Sequence, residues 1–170
     1  MTTTATPTPA PEHVTGVYRD LSAQAQALMA GQRHRVANAA NLVALINQHL
    51  ERINWVGFYF LDEDPQGRGE PVLIVGPFQG KPACVRIEKG QGVCGAAVAS
   101  GQTQRVADVH AFDGHIACDP RSRSEIVIPV RHLGEIIGVL DIDSPDPDRF
   151  DATDQAGLEH VVACYSEALG

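Results

Sequence analysis

Two segments near the start of the chain repeat apolar residues at steps of three and four, the period of an amphipathic helix. The first repeat comprises Val14, Tyr18, Leu21, Ala25 and Leu28. The second comprises Val36, Ala39, Ala40, Val43, Ile46 and Leu50. Gly31 marks the predicted end of the first helix, and the second is predicted to end before Asn54. The pattern therefore predicts two consecutive helices ahead of any strand.

After Asn54 the pattern changes to that of strands separated by turns. Segments rich in aromatic and β-branched residues predict the strands NWVGFYFLD, VLIVGPF, ACVRIE, TQRVAD, EIVIPV and EIIGVLDID. A short helix, GVCGAAVASG, is predicted to end at Gly101, and DATDQAGLEHVVACYSEAL is predicted to be a terminal helix capped by Asp151. Helices at both ends of hairpin-connected strands predict an α+β fold around a central antiparallel sheet.

Residues 109–124, VHAFDGHIACDPRSRS, form a polar segment with Gly and Pro, which predicts a loop. Loops of this length are uncommon in compact domains and often carry function. Residues 1–13 are rich in Thr and Pro without periodicity, so we expect a flexible extension. Residues 14–170 are expected to form a single domain, because a chain of 170 residues with 44% hydrophobic composition can bury one core.

Alternation along the first predicted strand separates its side chains into two sets. Val56, Phe58 and Phe60 share the face that can serve a core, which leaves Trp55 and Tyr59 on the other face. Two interpretations are open for these two aromatic residues: they line a pocket, or they belong to the core themselves.

Carboxylates occur near the end of the last predicted strand. Asp141 and Asp143 are expected to share one face with Ile137 and Val139, opposite Ile136. Burial of two carboxylates is costly unless a cation or hydrogen-bond donors meet them. Either both emerge into solvent where the strand ends, or a polar partner faces them.

The turn near Gly134 decides whether Glu125 joins these carboxylates. A three-residue turn with Gly134 at positive φ would pair Glu125 with Asp143, whereas a two-residue turn would pair it with Ile142. In the first case three carboxylates would converge. Such a site suits an ammonium group, or it raises the pKa of one acid into the range of a general acid.

Composition excludes several classes of protein. The formal net charge is −8 and no Lys/Arg stripe occurs, which argues against nucleic acid as a partner. No apolar run reaches the roughly 18–20 residues of a membrane span, and the N-terminal sequence lacks the features of a signal peptide. We therefore expect a cytoplasmic protein without a membrane partner.

In a reducing compartment the four cysteines are not expected to be a structural disulfide framework. Cys164 lies in a helical pattern and is assigned to packing. Zinc is a poor candidate for the other three, Cys84, Cys94 and Cys118, because the short spacings typical of structural zinc sites are absent. No metal site is predicted.

Cys118 leaves two further interpretations. His115 and Arg121 in the same loop would favour a reactive thiolate, and the other cysteines could resolve its sulfenic acid by closing a disulfide. Alternatively, the domain is a sensor that binds a small ligand without turnover, and its cysteines are incidental.

Several separate motifs decide between these interpretations. WVGFYF, GPFQGKPACVRI, KGQGVCG, HAFDGHIACD, RSEIVIPV and GVLDIDS together resemble the free methionine-(R)-sulfoxide reductases, a family of stand-alone GAF domains. The resemblance covers about residues 14 to 169. It implies a GAF-like fold, a homodimer, and thiol-dependent reduction of free L-methionine (R)-sulfoxide. One departure is Asp113, where the family pattern has Pro.

The resemblance also implies roles for individual residues. Cys118 matches the nucleophile, Cys84 its disulfide partner, and Cys94 a second resolving thiol. Three acidic residues match the carboxylates that hold the substrate ammonium and assist at the sulfoxide: Glu125, Asp141 and Asp143. Either Glu125 or Asp143 would donate the proton to the leaving oxygen.

Two further roles follow from the same resemblance. Trp55 and Tyr59 match the aromatic wall around the substrate methyl group. No bound cofactor is implied; thioredoxin would supply electrons from NADPH through thioredoxin reductase.

Overall fold

A computed structural model describes residues 16–67, 69–114 and 119–170 of the chain. The expected extension, residues 1–13, and the loop cysteine Cys118 lie outside the described residues. The helices of the described part are α1 (Val17–Met29), α2 (Arg35–His49), α3 (Gly92–Ser100) and α4 (Ala152–Ala168). Its strands are β1 (Trp55–Asp62), β2 (Val72–Gly80), β3 (Arg86–Ile87), β4 (Gln104–Val106), β5 (Ser124–His132) and β6 (Glu135–Ser144).

The helix ends agree with the signals in the sequence. Gly31, just beyond α1, has a φ of 75°, and Gly101 closes α3 with a φ of 67°. Both values lie in the left-handed region that glycine adopts without steric cost. Asp151 caps α4 as predicted, and it forms a capping box with Asp154.

Two predicted elements differ from the structure. Only Arg86 and Ile87 of the segment ACVRIE pair as a strand, although the carbonyl oxygen of Val85 also accepts a hydrogen bond from the N–H of Val75 at 3.0 Å. The long polar segment contains a turn of 3-10 helix, Val109–Ala111, capped by the side chain of Asp108. An Asp side chain accepts backbone N–H groups readily, which favours such a turn.

The six strands form one antiparallel sheet in the order β3-β2-β1-β6-β5-β4. The central strands β1, β6 and β5 therefore carry neighbours on both sides. No helix within the described ranges combines the length and the apolar character that crossing a membrane requires.

One face of the sheet packs against α2 and α4, and α1 packs in turn on these two helices. Its strand residues are Val56, Phe58, Phe60, Ile126, Ile128, Val130, Leu140 and Ile142, all buried. The helices contribute Leu21, Leu42, Ile46, Leu158 and Tyr165, among others. Helices from both ends of the chain thus cover this face, as the sequence predicts. The β1 residues assigned to the core, Val56, Phe58 and Phe60, are buried beneath them.

The opposite face is covered by the short helix α3. Trp55, Tyr59 and Val127 on the strands meet Val93 and Ala97 on the helix. Because α3 has only nine residues, it covers part of this face, and the acidic ends of β5 and β6 lie beside it.

The β5–β6 hairpin differs from both predicted alternatives. His132 pairs with Glu135, so the turn has two residues, yet Glu125 still pairs with Asp143. A β-bulge between Val130 and Arg131 shifts the register by one residue and explains this combination.

The same bulge overturns the face assignment of two β6 residues. Ile137 packs against the core beneath α1, α2 and α4, and Ile136 packs on the α3 side. Uninterrupted alternation along β6 predicts the opposite assignment, and the bulge breaks that alternation.

The turn of this hairpin yields a stability prediction. Leu133 is 84% exposed and has a φ of 50°, followed by Gly134 at 87°. Positive φ at both turn residues favours Asn-Gly, whereas Leu adopts this conformation at a cost. We expect L133N to raise the free energy of unfolding by about 0.5–1 kcal/mol, seen as a rise in Tm of a few degrees. L133A is the matched control; an equal gain there would attribute the effect to loss of an exposed apolar side chain.

Candidate active site

Three carboxylates meet on the α3 side of the sheet. Glu125 on β5 is paired with Asp143 on β6, which is in turn paired with Trp55 on β1. Asp141 lies two residues before Asp143 and therefore on the same face. Glu125 and Asp141 are only 5% and 6% exposed, and Asp143 is partly buried. The acids therefore face a shared pocket instead of emerging into solvent.

Burial raises the pKa of each of the three carboxyl groups. The pKa of Glu125 lies well above its ordinary value because of burial first and the charges of Asp141 and Asp143 second. Burial and the charges of Asp141 and Asp119 likewise raise the pKa of Asp143. Burial raises the pKa of Asp141 to about 7, and hydrogen bonds with Cys94 and Glu125 oppose the rise. The Asp141 carboxyl therefore ionises near neutral pH.

Asp141 also has an unfilled hydrogen-bonding position. Its Oδ1 atom is buried and accepts no hydrogen bond from the residues that the structure describes. A buried carboxylate oxygen without a donor is costly, and native proteins rarely leave one unpaired unless a ligand or water completes it. An ammonium group, with three N–H donors and a positive charge, has the chemistry to complete this position.

Trp55 and Tyr59 form an aromatic wall beside the acids. Their ring centroids are 5.7 Å apart, and Trp55 stacks on Phe78 at 5.3 Å. The indole Nε1 donates to the backbone oxygen of Lys81 at 3.1 Å, which fixes the ring. Both residues line the pocket and pack in the buried cluster beneath α3, so the two interpretations of the sequence are both correct.

Two glycines make room for this wall. A Cβ atom on Gly57 would collide with the Trp55 ring and with Phe78, and one on Gly80 would collide with Trp55. Gly80 also has a φ of 132°, which L side chains rarely adopt. The indole can therefore lie flat against the backbone of β1 and β2 only because these positions carry no side chain.

The described cysteines occupy different environments. Cys94 is buried in α3 with its thiol facing the acids, and Cys84 is partly buried after β2. Cys84 is disulfide-bonded, whereas Cys94 and Cys164 carry free thiols. Cys164 belongs to α4 and packs in the core on the other side of the sheet. The predicted pairing of Cys84 with Cys118 remains a prediction, because Cys118 lies outside the described residues.

A polar wall that the sequence analysis missed completes the pocket. Asn54 donates from Nδ2 to Asp119 Oδ2 at 3.2 Å and to Ser122 Oγ at 3.0 Å. Arg121 binds the same carboxylate at 2.9 Å, and its hydrogen bonds hold the pKa of Asp119 far below the ordinary value. Asp119 directly follows Cys118 in the sequence. This adjacency is the signal that indicates a position for Asp119 near the site.

The pocket is lined by residues from β1, the β2–β3 connection, α3, the loop before β5, and β5–β6. They are Trp55, Tyr59, Lys81, Pro82, Ala83, Ile87, Gln91, Gly92, Val93, Cys94, Asp119, Ser122, Glu125, Asp141 and Asp143. Lys81 is the one cation among these described residues, and Gln91 to Val93 form the amino end of α3, which has no side-chain cap. The sequence predicts the acids and the aromatic wall of this pocket, but it does not predict that Lys81 and the amino end of α3 line it.

One set of side chains in this pocket has the atom types of a metal site. Cys94, Glu125 and Asp141 each place a ligand-type atom within 4.8 Å of the other two. A metal would require the thiolate and the Glu125 carboxylate, whereas the pKa values of both groups are raised well above their ordinary values. A metal bound here would have to displace both of these protons, whereas an ammonium group needs only the carboxylate of Asp141.

Comparisons with known proteins agree with this geometry. Residues 25–169 match the family model of the GAF domain. The chain is 52% identical over 155 residues to the free methionine-R-sulfoxide reductase of Escherichia coli (strain K12), covering 91% of this chain and 90% of that protein. It is 42% identical over 148 residues to the free methionine-R-sulfoxide reductase of Saccharomyces cerevisiae, covering 84% of this chain and 80% of the relative.

A solved structure extends the comparison to three dimensions. The structure of the fRMsr of Staphylococcus aureus in complex with substrate superposes with a TM-score of 0.83 at 47% identity. It covers 98% of this chain and 100% of the other. The predicted α+β, GAF-like fold is thus confirmed.

Proposed function

The chain belongs to the GAF domain family, and we propose that it is an oxidoreductase that reduces free L-methionine (R)-sulfoxide to L-methionine. The relatives that bear the name free methionine-R-sulfoxide reductase support the reaction class. The observation that carries the proposal is the buried cluster of Glu125, Asp141 and Asp143, with one carboxylate oxygen lacking a donor.

Recognition of a free amino acid follows from this cluster. The α-ammonium group would meet the ionised Asp141, while Lys81 and the uncapped amino end of α3 suit the α-carboxylate. Methionine sulfoxide within a peptide has neither charged group, so it would leave the buried acid unpaired. Sites built on such polar groups reject analogues that lack the partner by large factors.

The chemical step uses a thiol and an acid. The Cys118 thiolate attacks the sulfoxide sulfur and forms a transient sulfur–sulfur bond. The oxygen is then transferred to the cysteine sulfur as the sulfur–oxygen bond of the substrate and the transient sulfur–sulfur bond break, which leaves Cys118 as sulfenic acid and releases methionine. The cysteine sulfur is thereby oxidised by two electrons and the substrate sulfur is reduced by two. Protonation of the sulfoxide oxygen assists this transfer. Glu125 and Asp143 both have raised pKa values and can carry that proton at neutral pH.

Recycling returns the enzyme to its thiol form. The Cys84 thiol condenses with the sulfenic acid, which forms a disulfide and releases water. Thioredoxin then reduces the disulfide, with NADPH consumed through thioredoxin reductase, and no bound cofactor takes part. We further propose that the protein acts in the cytoplasm, as expected from its composition, and that it forms a homodimer, as the family resemblance implies.

A coupled assay tests the substrate directly. NADPH oxidation with thioredoxin and its reductase is followed while free (R)-sulfoxide, free (S)-sulfoxide and an oxidised peptide are supplied separately. We expect turnover with the free (R)-sulfoxide and at least about 100-fold lower rates with the other two. Equal rates on all three would contradict the proposal.

The sensor interpretation makes the opposite prediction for the same protein. A sensor would leave all three substrates unchanged, and the purified chain would retain a bound small ligand detectable by mass spectrometry after denaturation. Turnover of free (R)-sulfoxide by protein without such a ligand would contradict that interpretation.

A further inference from the structure

We propose that Cys94 keeps its proton throughout the reaction and acts as a positioning residue, whose thiol donates to Asp141 and holds this carboxylate ready for the substrate ammonium. The inference rests on the proposed function for the identity of the substrate. It assigns to Cys94 a role different from the second resolving thiol that the family resemblance implies.

The geometry fixes Cys94 against the acids. It is the third residue of α3, is 4% exposed, and has its sulfur within 4.8 Å of carboxylate oxygens of both Glu125 and Asp141. The next residue, Gly95, lies so close to the backbone oxygen of Glu88 that any side chain there would clash. The backbone of α3 therefore packs closely against that of Glu88, with the Cys94 sulfur beside the acids.

Among the described residues, the ionisable side chains that interact with Asp141 are carboxylic acids, a phenol and a thiol. Glu125 projects from β5, Asp143 from β6, Tyr59 from β1 and Cys94 from α3, and these groups interact electrostatically with one another. Asp119 adds a negative charge near Asp143. The cation Lys81 lines the same pocket.

A thiolate is disfavoured in this environment. Burial first, and then the charges of Asp141, Glu125 and Asp143, raise the pKa of the Cys94 thiol well above its ordinary value. Thiol–disulfide exchange requires the thiolate as the attacking species. Cys94 is thus poorly suited to resolve a sulfenic acid and well suited to donate a hydrogen bond.

The donated hydrogen bond affects which acid carries charge. Hydrogen bonds from Cys94 and Glu125 lower the pKa of Asp141 against the effect of burial. Asp141 can then ionise near neutral pH while its Oδ1 atom still lacks a protein donor. Loss of the thiol proton donor would shift ionisation of Asp141 to higher pH and weaken ammonium binding at pH 7.

Two substitutions separate a hydrogen-bond donor from a redox thiol. C94S removes the sulfur but keeps an O–H donor at this position, whereas C94A removes both. We expect the pKa of Asp141, followed by carboxyl ¹³C NMR in the protein without substrate, to rise by about one unit in C94A and to rise less or fall in C94S. The acidic limb of kcat/KM should follow the Asp141 pKa, with a move to higher pH of about one unit in C94A and a smaller or opposite move in C94S.

The redox role predicts a different pattern. If Cys94 resolves the sulfenic acid, both variants should lose multiple turnover equally, and non-reducing peptide mapping of oxidised protein should find Cys94 in a disulfide. Either result, or an unchanged Asp141 pKa in C94A, would overturn the inference. The NMR titration does not depend on activity, so failure of the proposed reaction would appear separately, as a native protein that does not reduce the free (R)-sulfoxide.

Discussion

Replacing Cys118 with serine is expected to abolish the formation of methionine from free (R)-sulfoxide, even in a single turnover without thioredoxin. A serine hydroxyl near neutral pH supplies almost no oxyanion, and it cannot accept the sulfoxide oxygen in the way sulfur does. We expect a loss of at least about 1,000-fold in the single-turnover rate, because removal of a covalent nucleophile has effects of this size or larger. Methionine is quantified by mass spectrometry after rapid quenching.

C164S provides the matched control for the loss of a thiol. Cys164 is a buried residue of α4 on the far side of the sheet, where its sulfur accepts a hydrogen bond from Gln26 at 3.2 Å. A serine hydroxyl can keep that contact, so single-turnover methionine formation should match that of the native protein. Full activity in C118S would show that the nucleophile is a different residue.

C84S distinguishes the resolving step from the attack. This variant should release one equivalent of methionine and then stop, because the sulfenic acid has lost its partner thiol. Dimedone should label the stalled protein at Cys118. Sustained thioredoxin-dependent turnover in C84S would remove Cys84 from the proposed cycle.

Replacing Asp141 with asparagine is expected to change binding and stability in opposite directions. The variant loses the negative charge that meets the substrate ammonium, and we expect kcat/KM at pH 8 to fall by about 100-fold or more. At the same pH, the free energy of unfolding should rise by on the order of 2 kcal/mol, because a buried charge has been removed. Steady-state kinetics and thermal unfolding at pH 8 measure the two effects.

The sign of the stability effect follows from proton binding. The pKa of Asp141 is about 7 in the folded protein, against about 4 for an ordinary Asp side chain. Between these values the unfolded chain releases a proton that the folded chain retains, so the free energy of unfolding decreases as pH rises. The gain in D141N should therefore be small at pH 4 and reach its full size above pH 7.

D62N is the control for the replacement of a carboxylate by an amide. Asp62 lies at the exposed end of β1 and contacts Arg35 at 3.5 Å with 58% of its side chain accessible. Its replacement should change neither kcat/KM nor Tm by a measurable amount, because exposed ion pairs contribute little. If D141N lost stability at pH 8, Asp141 would have to be a structural group rather than a carboxylate held ready for a ligand.

The sequence predicted which residues form the acidic and aromatic parts of the site better than it predicted the side-chain contacts around them. Alternation along β1 placed Trp55 and Tyr59 on one face correctly, because a regular strand has a period of two. The polar wall was not predictable in this way: Asn54 precedes β1, whereas its partners Asp119 and Ser122 belong to a loop more than sixty residues later. Side-chain contacts between distant loops leave no periodic signal.

Burial of the acids is the second property that the sequence left open. Asp141 and Asp143 at a strand end are compatible with solvent exposure as well as with a closed pocket. The position of α3 decides this, because Cys94 and Val93 cover that face of the sheet. A nine-residue helix rich in Gly and Ala has no strong periodic pattern that would predict which strand ends it covers.

The bulge in the β5–β6 hairpin has a consequence for reading related sequences. With a two-residue turn, Glu125 reaches Asp143 only because β6 carries one additional residue near Ile137. A relative with a regular hairpin and the same turn needs a spacing one residue shorter between the two acids to form the same pair. A single gap in a sequence alignment at this place is therefore compatible with an intact acidic site, whereas a gap between Leu140 and Asp143 would turn the remaining acid towards the opposite core.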